Sequence, residues 1–572
     1  MIMVLINWLY IAITSFLTGF ALLSLYCWLF KAKINKVLPC MFAGIVVNTV
    51  YAQVWSLFGG VGLAANVVLM ITSLLILLFM RERISKLLTS ARENTAKVKS
   101  LPIVYSFIVI LFAYGTSRGY IHYDTSLYHA QSIRWIEEYG VVKGLACLQL
   151  RFGYNSSAFS LTALYSFKDL LGQSLHTTAG FFALLGAFQV AGVYRVFVEK
   201  TVRYSDFIRL GLLFYLGLIF REMTSPASDY YAQILIYSVL IMWLDALDED
   251  KEKNQKSTYP YAMLSILLVY AATVKFSIAL LVLLTIKPAV EMIKTKQHKQ
   301  IIASLLGGIM VLIPFFIRNY LISGWLIYPS TFIDICNPDW KIPKGVAQYD
   351  AMEIGVYGKG INDVTQMDMP MSKWLPSWFG NMGIIEKGWV CLTALTIVIG
   401  IVYFVWKLIK KQVDADVMLV WLVVTIGGIF WFISAPLVRY GYGYLTCIPL
   451  LVDGMLCFEL INKSGDRKSL YIAYLIVLIA IGAFRVKTIG YDIITTAKEP
   501  YYTAQKDYSD WPASEYNLDG QTIYIPKEDA LIGYNQFPAS LLTIDVELRG
   551  DDFKDGFRYK NYEEFVDKYE KQ

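Results

Sequence analysis

The sequence predicts an all-α polytopic membrane protein, a helical bundle of about fourteen membrane helices with a small α+β domain at its C-terminus. Composition is the first reason. Of 572 residues, 56% are hydrophobic and only 17% charged, far more apolar than a soluble domain of this size. The second is that uninterrupted apolar stretches recur from residue 3 to about 488, which makes 1–488 one continuous membrane domain rather than a soluble enzyme on an anchor. The third is the polar remainder, 489–572, with strand-like runs broken by Pro and Gly.

Spans fall near 3–30, 37–58, 61–80, 100–117, 173–196, 207–221, 229–246, 261–274, 276–293, 300–318, 387–408, 415–435, 441–460 and 469–488. The first has no basic stretch before it and no small-residue cleavage site, so it reads as a retained helix rather than a signal peptide. Lys and Arg cluster at 31–36, 81–99, 200–209, 251–256, 294–299, 407–411 and 463–468. Translocating basic loops is costly, so all of these are assigned to the cytoplasmic side. Both termini then lie outside, together with the long segments 118–172 and 319–386 and the tail.

The stretch 261–293 is too long for one helix and too short for two ordinary crossings, so it reads as a pair of short helices meeting at 274–277. That places Lys275 at the outer interface, as a cation with a task or as a snorkelling side chain. In 118–172, the patterns at 126–139 and 157–171 suggest amphipathic helices lying on the membrane. The segment 319–386 is rich in Pro, Gly and Trp without clear period and reads as a partly ordered loop. In the tail, 522–525 and 541–546 read as strands and 562–570 as a final helix.

The net charge of +6 is modest and sits at helix ends, leaving no nucleic-acid footprint. The seven cysteines lack metal-ligand spacing. Cys147 and Cys336 fall in different outer loops, where a disulfide is conceivable.

Candidate chemistry gathers at the outer helix ends. In His122–Gln131, a helix starting near Asp124 would align Asp124, Tyr128, Gln131 and Trp135 on one face. Asp124 then suits a general base or a metal ligand, or simply caps the helix. Asp229, after the Ser225-Pro226 turn, is a second acid with the same two readings. Arg318, in Arg318–Pro329 with Tyr328, has a donor fork matched to phosphate or serves as an interfacial anchor. Arg439, in Arg439-Tyr440, stands between two apolar spans with no other charge nearby. Two arginines and Lys275 on one outer site would suit a pyrophosphate or phosphodiester head group.

An acid in a long first outer loop, an Arg-Asn-Tyr-(x)3-Gly-(x)3-Tyr-Pro stretch at 318–329 and an outer Arg-Tyr together resemble the GT-C superfamily of membrane glycosyltransferases. More narrowly, Asp-Thr-Ser-Leu-Tyr-His (124–129), Arg-Phe-Gly-(x)-Asn-Ser-Ser (151–157) and Ser-Pro-(x)2-Asp (225–229) resemble a bacterial group of multi-spanning proteins. The resemblance implies a GT-C-like bundle in a bacterial inner membrane, with the site and C-terminal domain on the periplasmic side. It implies sugar transfer from a polyprenyl phosphate or pyrophosphate donor to a glycan, lipid or protein acceptor.

Carried over by position, Asp124 would be the catalytic acid-loop residue and Asp229 its auxiliary, with Lys275, Arg318 and Arg439 on the donor phosphate. Tyr128, Gln131, Tyr328 and Tyr440 would line the substrate. The cofactor stays open: a divalent cation, Mg or Mn, would fall to Asp124, but Thr125 follows it where many members carry a second acid. Aromatic residues of the outer segments, including Trp135, Tyr139, Phe152 and Trp340, suit sugar stacking or interface anchoring equally. Other readings of the same residues are a transporter or flippase of lipid-linked sugars, a polysaccharide polymerase or ligase, and a scaffold whose tail recruits partners. Against transport, the sequence shows no obvious repeat and no charged pairs deep in its spans.

Overall fold

The computed structural model describes residues 1–254, 257–527, 531–541 and 545–561. Among them, twelve helices are long and apolar enough to cross a membrane. The chain is therefore a multi-pass membrane protein with an almost wholly helical core. The remaining two expected spans correspond to shorter helices, Tyr204–Leu218 with 15 residues and Tyr259–Val274 with 16. At 1.5 Å per residue they reach about 22–24 Å, short of a ~30 Å hydrocarbon core.

Tyr204–Leu218 packs between Thr178–Ala191, Ser228–Lys253, Val438–Ser464 and Arg467–Thr496. Its Arg209, expected in a basic loop, is instead buried inside the bundle, donating to Asp206 (2.8 Å) and Asp245 (2.6 Å). Two carboxylates compensate the guanidinium, and this is what lets it leave water.

Tyr259–Val274 and Phe276–Lys294 form the expected pair, joined at Lys275, whose backbone is extended (φ −154°, ψ 126°). Lys287 lies 4.8 Å above the Tyr261 ring, so the second element folds back along the first and Lys275 occupies the tip of a helical hairpin. Elsewhere, helices outrun the apolar stretches. Leu63–Ala96 has 34 residues and carries most of the basic segment 81–99, because Arg, Lys and Glu extend a helix as readily as apolar residues do.

Ion pairs Lys36–Glu249, Arg203–Glu252 (2.7 Å) and Lys251–Asp414 (2.6 Å) gather several basic loops at one end of the bundle. The opposite end carries residues 119–172 and the tail. There the N-terminal amine donates to the carbonyls of Tyr501 (3.0 Å) and Ala504 (2.7 Å).

The helices of 119–172 do not lie on a membrane surface as expected. Every residue of Ser157–Leu164 is buried, packed between the bundle and Ala130–Glu138, and most of Ala130–Glu138 is buried as well, with the tail on its other side. The segment 319–386 is also more ordered than expected, with helices Lys344–Gly358 and Met371–Gly380. Trp374 and Trp378 are buried, with ring centroids 5.8 and 5.6 Å from Phe432.

In the tail, Ala513–Leu518 pairs antiparallel with Gln521–Pro526 across an Asp519-Gly520 turn in which both residues have positive φ, the geometry that favours tight hairpins. Val546–Leu548 pairs with Phe557–Tyr559. The expected strand at 541–546 begins only at Val546; part of it, and the final helix at 562–570, lie outside the described residues. Cys147 and Cys336 are both free thiols, the first buried and the second exposed.

Candidate functional site

Four chain segments meet at the end of the bundle opposite the basic loops. The Leu101–Arg118 helix stops, and the following strand of chain is stitched to the 221–225 turn. The Tyr120 N–H donates to the Arg221 carbonyl (2.6 Å), and the His122 N–H donates to Ser225 Oγ (2.6 Å), which itself donates to the Tyr120 carbonyl (3.1 Å). This fixes Asp124 opposite the start of Ser228–Lys253.

Asp124 precedes a single π-turn, Thr125–His129, and its carboxylate makes no capping hydrogen bond. It instead receives Arg439 Nη2 at 2.5 Å. Asp229, buried in the first turn of Ser228–Lys253, does not cap its helix either. It pairs with Lys275 at the hairpin tip and lies 3.4 Å from Arg439 Nε. Arg439 thus stands between two carboxylates, with Nη1 2.6 Å from His122 Nε2. The other ring nitrogen of His122, Nδ1, accepts the Asp124 backbone N–H (3.1 Å) and lies 3.7 Å from Asp124 Oδ2.

Tyr440 completes the group: Lys275 Nζ sits 3.8 Å above its ring, and its hydroxyl accepts from Arg439 Nη2 (3.3 Å). The Arg439 Nε–H is buried and has no well-formed hydrogen bond among the described residues. The cluster is charge-balanced and keeps one strong donor unspent.

Tyr128 forms the adjoining wall. Burial, then the nearby Asp124 carboxylate, raise its hydroxyl well above the ordinary value, so it keeps its proton. His129 beside it is held well below its usual pKa, first by burial and then by the charge of His122, and is a neutral imidazole near Thr125 Oγ1 (3.3 Å).

The wall continues through Tyr154, whose ring is 5.6 Å from Tyr128 and 6.1 Å from Tyr328. Tyr328 lies flat against Gly153, where a Cβ would stand 2.6 Å from its ring, so the glycine of the 151–157 motif is required by close approach. Beyond it, the Tyr154 hydroxyl donates to the buried carboxyl of Asp350 (2.9 Å). Burial pushes Asp350 up to about 6. The buried Tyr328 hydroxyl faces the same carboxyl. Arg151 and Glu353, 3.7 Å apart, flank the pair.

The structure therefore brings together Asp124, Asp229, Lys275, Arg439 and Tyr440, with Tyr128 alongside and Tyr328 further along the wall. It does not bring the others in. Arg318 is buried in a separate network, donating to Asn155 Oδ1 (3.1 and 3.0 Å) and to Ser56. Gln131 is fully buried and holds the tail, donating to the Gln536 carbonyl (2.8 Å) and accepting from the Ala539 N–H (3.2 Å). Trp135 packs on Phe537, Phe553 and Phe557.

The expected common face is divided because the π-turn widens the helix after Asp124, turning Gln131 and Trp135 toward the tail. Tyr139 and Phe152 join the same apolar cluster, and Trp340 stacks under Arg549 (4.8 Å). These aromatic residues dock the tail.

Sequence reasoning did not single out His122 or Asp350. His122 was legible as a neighbour of Asp124. No local pattern marked Asp350, whose hydrogen-bond donor Tyr154 lies 196 positions away.

Among the described residues, no three His, Cys, Asp or Glu side chains group as metal ligands. Asp124 and Asp229 have Arg439 and Lys275 as counter-ions instead. A family model for a domain of unknown function, DUF8201, matches residues 1–446. The chain belongs to this family. Every charged member of the cluster lies within the DUF8201 match, whereas the tail lies beyond it. No curated protein and no solved structure matches the chain.

Proposed function

We propose that this DUF8201 protein is a membrane glycosyltransferase that moves a sugar from a polyprenyl phosphate or pyrophosphate to a glycan, lipid or protein acceptor. In this reading it works at the periplasmic face of a bacterial inner membrane. One observation carries it: Arg439 bridges Asp124 and Asp229 while Lys275 closes the cluster from the hairpin tip. Transfer from a lipid phosphate needs a base for the acceptor hydroxyl and fixed positive charge for the departing phosphate.

In the proposed reaction, the donor phosphate engages Lys275 and Arg439, including the unspent Nε–H, and draws Arg439 off Asp124. The freed carboxylate accepts the acceptor's hydroxyl proton as that oxygen attacks the anomeric carbon. The bond from that carbon to the phosphate oxygen breaks, and the leaving lipid phosphate keeps the electron pair beside the two cations. Asp229 holds Lys275 in position, and the Tyr128 hydroxyl is a donor for a sugar oxygen. No step is routed through a metal.

The position of the cluster supports the reading, because helix termini at a bilayer surface let a lipid-borne phosphate and a water-borne acceptor meet. Mass spectrometry of lipid-linked sugars and surface glycans tests it, in cells carrying the wild type, Asp124→Asn or no copy. A polyprenyl-linked sugar should accumulate in the last two. Identical lipid and glycan profiles in all three would remove the proposal.

A further inference from the structure

The bundle contains a cavity of about 330 Å³ at the end opposite the charge cluster. Its walls come from the end of Ile2–Phe30, the start of Val37–Trp55, the end of Ser228–Lys253 and the start of Tyr259–Val274, and include Leu23, Phe42, Ile241, Met263 and Leu267. The Ser228–Lys253 helix measures the separation. It carries Asp229 in its first turn and Asp245 at the cavity, 16 residues later, which is about 24 Å of helix. The cavity is a different site from the cluster and serves a different end of the molecule.

Its chemistry is amphiphilic. The interior is aliphatic and aromatic, and it exceeds the ~150 Å³ apolar void that suffices to hold a benzene ring. The rim is charged, with Lys33, Lys36, Arg209, Asp245 and Glu249. Most of that charge is already matched. Arg209 is shared between Asp206 and Asp245, and Lys36 pairs with Glu249. Lys33 is exposed and has no ion pair among the described residues. The rim therefore offers one uncompensated cation, with a second beside it in Lys36.

An oily interior beneath a cationic lip, inside a bundle whose surroundings are lipid, selects a molecule with a hydrocarbon chain and an anionic head. We infer that the cavity holds the chain of a phosphate-headed lipid drawn from the leaflet at the basic end, with its phosphate at Lys33 and Lys36. Met263 and Leu38, both partly exposed lining residues, stand where the chain enters.

The test uses the full chain in nanodiscs and two photoprobes with the same diazirine-tipped acyl chain, a phosphatidylglycerol and an uncharged diacylglycerol. The phosphatidylglycerol probe should label peptides containing Phe42, Met263 or Leu267 in preference to the lipid-facing peptide around Leu305. Met263→Trp, which narrows the cavity, should lower that preference; if it does not yield folded protein, Leu38→Trp is read in its place. Lys33→Glu should lower phosphatidylglycerol labelling at least about fivefold, the worth of roughly one surface lysine, and leave diacylglycerol labelling unchanged. Labelling spread evenly over the bundle surface, or insensitive to both tryptophan variants, overturns the site. Equal loss of both probes in Lys33→Glu overturns the phosphate assignment. Asp124→Asn should leave every labelling value unchanged, so the result is independent of the transfer reaction.

Discussion

Arg439 Nη2 lies 2.5 Å from Asp124 Oδ2, joining residues 315 positions apart in the chain. No local motif specifies that contact. It arises because the Val438–Ser464 helix starts at the same end of the bundle at which Leu101–Arg118 stops. Each carboxylate in the cluster has a counter-ion from a different segment, so removing any one leaves an uncompensated charge at a helix end.

Asp124→Asn should lower sugar transfer in membranes at least ~100-fold, the usual worth of a general base, with the protein still expressed. Asp229→Asn should act differently, freeing Lys275 and weakening donor binding more than turnover. Initial rates against donor concentration separate the two.

Arg439→Lys should not restore what Arg439→Ala loses. A single ammonium cannot reach His122, Asp124 and Asp229 together, whereas the planar fork does. Transfer assays on both variants check this, and wild-type activity in the lysine variant would show that charge alone suffices.

Asp350 gives a pH signature in stability. Its folded pKa of about 6 against an ordinary 3.8 amounts to roughly 3 kcal/mol. The folded state holds this proton more tightly, so the contribution is favourable below about pH 4 and is lost as pH rises through 6. Asp350→Asn should therefore melt higher than wild type at pH 7 and lose that advantage near pH 4, as thermal unfolding in detergent at a series of pH values would show.

Arg318→Ala should lower the melting temperature while changing the donor KM by less than about twofold, because its hydrogen bonds support the 151–157 segment rather than reach the cluster. A tenfold rise in KM at unchanged melting temperature would return Arg318 to the phosphate.

Cys336 is exposed at the end carrying the cluster, so a membrane-impermeant maleimide should label it on spheroplasts without permeabilisation. Lys33→Cys should react only once the membrane is opened. The reverse pattern would invert the topology.

What the sequence made legible followed from one-dimensional signals. Apolar length marked every long span, and the misfit length of 261–293 revealed a hairpin with Lys275 at its tip. Cost marked the cluster: Asp124, Asp229, Lys275 and Arg439 stood out as charges at apolar helix ends. The failures were three-dimensional. Arg318 looked equally expensive, but Asn155 and Ser56 satisfy it in a sealed network. Gln131 kept its spacing from Asp124, yet one π-turn changed the direction it faces. The burial of Ala130–Glu138 depended on a tail whose docking no local pattern announces.

That docking has a consequence. Ser126, two residues from Asp124, accepts the N–H groups of Ile532 (3.0 Å) and Gly533 (2.9 Å) through its carbonyl. The charge cluster and the tail that docks beside Asp124 are thus written in separate stretches of chain. Substitutions after residue 446 can narrow, widen or redirect the approach to Asp124 while every group beneath stays as it was.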